Sequence, residues 1–146
     1  MRVEFYKLEN HGRQLSAWDA TRWKRTKVPG TVMAGGQGMP HDLAQYIIEA
    51  STGYRHGFWE LVAKGATFKS IGRRRTKPGR ALIAEHRAEL AGAEQLAGLH
   101  LARWRAGKPS PVSEALNRAL IQWKDLAANQ RLVFEWPSAS GTVTDP

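Results

Sequence analysis

The stretch AGGQGMPHDLAQYIIE, residues 34–49, places an imidazole, carboxylates and an amide at helical spacing. At about 100° per residue, His41, Gln45, Ile48 and Glu49 share one side of a helix. Leu43, Tyr46, Ile47 and Ala50 form an apolar stripe on the other. A histidine beside a carboxylate can move protons or help hold a divalent ion. His41, Asp42 and Glu49 are therefore the candidate catalytic residues. His41 and Glu49 lie about 12 Å apart along the axis, too far to share one ion easily. The zinc-protease helix H-E-x-x-H is also missing, since H-D-L-A-Q puts Gln45 where a second histidine would ligate. A metal site would need a second segment. Residues 81–106 offer Glu85, His86 and Glu89, so His41, His86 and Glu89 are the candidate ligands. The competing reading of His41 is local hydrogen bonding at a helix start. That of Glu85 and Glu89 is a solvated helix face, and His11 and His56 read as turn residues.

Gly35, Gly36 and Gly38 precede the helix. Glycines before a helix N-terminus can cradle phosphate, but neither G-x-x-x-x-G-K-[ST] nor G-x-G-x-x-G is present. Gly35-Gly36-Gln37 is similar to the Gly-Gly-Gln of peptide-release factors, where the glutamine helps water attack an ester. The following GMPHDL lacks that family's Asn-Lys and Ser-rich continuation. The simplest role is a turn leading into Pro40, which suits a first helical position.

PHDLAQYIIE, followed by TGYRHGFWELVAKGATF, resembles a group of small uncharacterised bacterial proteins. Their pattern is approximately P-H-D-L-x-H-[FY]-x-x-E, then a Gly-Phe-containing segment. The matching positions are Pro40, His41, Asp42, Leu43, Tyr46 and Glu49, and Gln45 departs from the commoner histidine. The resemblance implies no activity.

The second kind of chemistry is electrostatic. The formal charge is +9. Arg22, Lys24, Arg25 and Lys27 surround Trp23, and Arg73, Arg74, Arg75, Lys77 and Arg80 form a further cluster. These hold nine of the 22 Lys and Arg residues. On one face they could track a phosphate backbone, with Trp23 stacking on bases. The plain alternative is two solvated basic loops. A polyanion, most plausibly nucleic acid, is the expected partner. An enzyme with a His/carboxylate site, metal-dependent or not, and a non-catalytic accessory protein are the alternatives. The cofactor and the oligomeric state are left open.

These residues need elements to position them. RVEFYKL (2–8) and RQLSAWD (13–19) alternate as strands about a His11-Gly12 turn. Pro29-Gly30 predicts a break before a short strand at 31–33. Helices are predicted from Pro40 to Gly53, within 81–106 with a break at Gly92 or Gly98 as an alternative, and at 111–128 capped by Ser110, while GFWELVAK (57–64) reads as a short helix or a buried turn. Residues 71–80 predict a basic loop, and RLVFEW (131–136) a last strand able to pair with the hairpin. The expected fold is α+β: a small, mostly antiparallel sheet with three to four helices on one face. It would be one domain over 1–137, with a disordered tail over 138–146. There is no cysteine, no apolar run of membrane-spanning length and no signal-peptide pattern in MRVEFYKLEN. No membrane partner and a cytoplasmic location are the resulting expectations.

Overall fold

The computed structural model describes residues 1–34, 38–71 and 74–145. They form an antiparallel sheet of five strands and five α-helices, the α+β class expected from the sequence. The strands are β1 (Arg2–Asn10), β2 (Arg13–Thr21), β3 (Lys27–Ala34), β4 (Arg131–Glu135) and β5 (Thr142–Thr144), in sheet order β3-β2-β1-β4-β5. The helices are α1 (His41–Thr52), α2 (Phe58–Lys64), α3 (Lys77–Glu85), α4 (Arg87–Arg105) and α5 (Ser113–Asp125). None is long and apolar enough to cross a membrane.

β1 and β2 pair from Arg2↔Thr21 to Asn10↔Arg13. Their two-residue turn has positive φ at both His11 (50°) and Gly12 (75°), the geometry that matches strand twist. Alternation sends Val3, Phe5, Trp18 and Ala20 into the core, joined by Leu132 and Phe134 from β4. The opposite face carries Glu4, Tyr6, Asp19 and Arg131. The Arg131 guanidinium there bonds both carboxylates and covers the Tyr6 ring at 4.1 Å.

Pro29-Gly30 does not break the chain as expected; β3 runs through it. β3 is an edge strand, where a missing N–H costs no central ladder bond. The ladder shifts register opposite Trp18, between Ala17 and Asp19. Gly30 lies against the Trp18 carbonyl and indole, where a Cβ would overlap both.

α1 starts after Pro40 and ends at Gly53, whose φ of 64° closes the helix with an N–H to Glu49 O. The expected two-sided helix is instead buried on nearly all sides. Ala44, Gln45, Ile48 and Glu49 are as enclosed as Leu43, Tyr46 and Ile47, because α1 lies against both α4 and α5. Phe5, Trp18, Tyr46, Trp59 and Phe134 interlock around it, with ring centroids 4.7–6.0 Å apart in these pairs.

Three other boundaries move. The segment read as a basic loop to residue 80 becomes helical at Lys77, because the Thr76 hydroxyl accepts from Gly79 N and caps α3. The long helical region breaks at His86 (φ −108°, ψ 25°), while α4 runs unbroken through Gly92 and Gly98. α5 starts at Ser113, since Ser110 and Ser113 first bond each other in a turn. The expected disordered tail instead returns to the sheet: β5 pairs with β4, and Ser138 O accepts from the Tyr46 hydroxyl at 3.0 Å.

Candidate functional site

The predicted chemistry falls on three neighbouring features. The first is a cleft of about 540 Å³ walled by β3, the start of α1, the α2 region and α4. His41, Asp42 and Gln45 line it, with Glu94 facing them from α4. The Trp18 indole N–H donates to Asp42 Oδ2 at 2.9 Å, and Asp42 Oδ1 lies 3.5 Å from His41 Nδ1. That contact with Asp42 raises the His41 pKa against the opposing effect of burial. A core tryptophan thus orients the carboxylate that orients an exposed imidazole. The pair can hold or release a proton at the cleft mouth.

Glu49 shares the helix but not the cleft lining. It is 2 % exposed, behind Gln45, whose amide donates to Glu49 Oε2 at 2.8 Å and to Glu94 Oε1 at 3.0 Å. Trp59 N donates to Glu49 Oε1 at 3.0 Å, so the carboxyl ties α2 to α1. Gly57 leaves room for it, because a Cβ there would press on the carboxyl group. Burial pushes its pKa up to about 7, against the lowering effect of the donors around it.

The second feature regroups the expected metal ligands. His86 and Glu89 do come together, but their partner is His56, which the sequence presents only as a turn residue. His56 has a φ of 59° and His86 sits at the α3–α4 break, so both occupy irregular backbone. Glu89 Oε2 meets His56 Nδ1 at 2.5 Å, Oε1 meets His86 Nδ1 at 3.0 Å, and the imidazoles stack at 3.8 Å. These hydrogen bonds hold the Glu89 carboxyl below its ordinary range. His41 does not belong to this group. The visible sequence signal was the i, i+3 pair His86/Glu89; nothing in YRHGF marked its third member.

The third feature is cationic. Trp23 is 85 % exposed on the short turn Trp23–Arg25, with Lys24 and Arg25 in the left-handed region. Lys24, Arg25, Lys27, Arg74, Arg75, Lys77 and Arg80 are exposed. Arg22 reaches back so that its guanidinium lies beside Gly65. From the other cluster, Arg75 Nε donates to Thr67 O at 3.1 Å, and Thr67 N donates to Gly79 O. Arg22 and Arg75, one from each cluster, thus approach the turn after α2 at residues two positions apart. Thr31 on β3 also donates to Ser70 O at 2.6 Å, so the cleft wall adjoins this surface. Arg73 and the Gly35-Gly36-Gln37 tripeptide lie outside the described residues. Comparison with family models, curated proteins and solved structures gives no match to this chain.

Proposed function

We propose that the protein binds a polyanion, single-stranded nucleic acid, through Trp23 and the two basic clusters. The exposed Trp23 ring among cations carries the reading. An open indole on a charged turn offers a large apolar face whose burial against a partner is favourable. A base supplies a π-face for the ring, while Arg22, Lys24, Arg25 and Lys27 offer counter-charge to phosphates. The approach of Arg22 and Arg75 to the same turn near Gly65–Thr67 supports one continuous track, extended by Arg74, Lys77 and Arg80.

Fluorescence anisotropy with a short mixed-sequence oligonucleotide tests this. Trp23→Ala weakens binding about tenfold, within the range for losing one stacked base, and Trp23→Phe retains most of it. The triple change Arg74→Ala/Arg75→Ala/Lys77→Ala lowers the slope of log affinity against log salt by about 2, on the order of 0.7 per phosphate contact. Absence of binding at low salt, or affinity indifferent to both sets of substitutions, defeats the proposal.

The Trp18–Asp42–His41 chain favours a second reading, proton transfer by His41 on a substrate held in the cleft. Cleavage of the bound strand that His41→Asn abolishes would carry it. A strand that stays intact through prolonged incubation removes it for this substrate.

A further inference from the structure

We infer that His56, His86 and Glu89 form a binding site for a first-row divalent transition metal, zinc by ligand type. Two imidazoles and one carboxylate are a ligand set for such ions, and three protein ligands leave room for water. One ligand atom from each residue lies within 4.8 Å of the others. Zinc bonds of about 2.0–2.2 Å require these atoms to close to roughly 3.3 Å, a shift on the order of 1 Å. Side-chain rotation can supply it, since Glu89 is half-exposed and His86 sits outside regular helix.

Proton placement identifies what resists and what assists binding. Without metal, the Lys64 ammonium donates to His56 Nε2 at 3.2 Å, so His56 carries its proton on Nδ1 and donates it to Glu89. His86 Nδ1 likewise donates to Glu89. A metal taking both Nδ1 lone pairs leaves each neutral ring with its proton on Nε2. At His86, the relocated proton faces Glu85, whose Oε1 is 3.9 Å from Nε2; a swing of that exposed carboxylate to hydrogen-bond distance would complete a carboxylate–histidine–metal arrangement. At His56, it faces Lys64, which must withdraw to Glu60, already 3.3 Å from the ammonium. Lys64 therefore competes with the metal. The parallel imidazole stack must also open, because a ligating nitrogen directs its lone pair in the ring plane.

The site is separate from the cleft. None of its three residues lines the cleft, and Glu89 precedes the cleft residue Leu90 by one position, so it faces about 100° away around α4.

The test is zinc titration against a chromophoric chelator, with circular dichroism confirming the fold of each variant. The wild-type chain takes one equivalent, and zinc raises its Tm. His86→Gln and Glu89→Gln each weaken binding at least tenfold and remove the Tm rise. His41→Gln changes neither. Lys64→Met tightens binding about tenfold, the scale of a neighbour acting on a ligand. Glu89→Gln alters an exposed side chain and keeps the test valid if the histidine variant does not fold. No zinc uptake by the wild type, equal uptake by Glu89→Gln, or loss of uptake in His41→Gln overturns the inference.

Discussion

Glu49 shows how residue type and residue environment can point in different directions. Its position on the His41 helix suggested a catalytic carboxylate. The structure uses it to join α1, α2 and Gln45 behind the cleft. Nothing in PHDLAQYIIE announces that α4 covers the polar side of this helix, because the covering residues come about 40 positions later. The burial has a measurable sign. The folded-state pKa is raised from 4.5 to about 7, so the folded chain holds a proton that the unfolded chain has released. Stability from this group is full below about pH 4.5 and is lost as pH rises through about 7, on the order of 3 kcal/mol in total. Urea denaturation of wild type and Glu49→Gln at about pH 5 and about pH 8 isolates it from other titrations. The wild type loses more stability than the variant over that interval; equal losses would refute the assignment.

At the scale of elements, periodicity located the hairpin, α1 and β4 with boundaries moved by a few residues, and the segment open between a short helix and a buried turn is α2. Local breakers were less dependable. Pro29-Gly30 looked like the end of a segment, yet it lies inside β3 because an edge strand tolerates proline and Trp18 needs the glycine's open side. The Thr76 cap was legible in principle, with threonine preceding Pro78 and a helical run, but the density of Arg and Lys there suggested a loop. Gly30→Ala tests the β3 account. The added methyl overlaps Trp18, and the expected loss is about 1–3 kcal/mol, read from urea denaturation. Displacing Trp18 also loosens its indole bond to Asp42, so the His41 pKa falls toward its ordinary value in an NMR titration. An unchanged His41 titration in a destabilised variant would separate packing at β3 from the cleft.

For the whole molecule, composition and element order sufficed for the α+β class, and the closing role of the last long strand was legible from RLVFEW. The return of residues 142–144 was not, since SASGTVTDP has a loop-like composition and gains its order from β4 and Tyr46. The side-chain groupings were legible only in part. Charge clustering marked the cationic surface, whereas His56 joined His86 and Glu89 through a turn that spacing could not foresee.

The sheet order has a kinetic consequence. β1 pairs on one side with β2 across a two-residue turn and on the other with β4, Arg2 opposite Glu135. The first closure is local; the second joins positions about 130 residues apart and carries a correspondingly larger chain-entropy cost. Until β4 emerges from synthesis and docks, Val3 and Phe5 lack the Phe134 and Leu132 neighbours they meet in the finished sheet. Until residues 131–135 have been made, the nascent chain therefore exposes the free edge of β1, a state in which unpaired strand edges invite association.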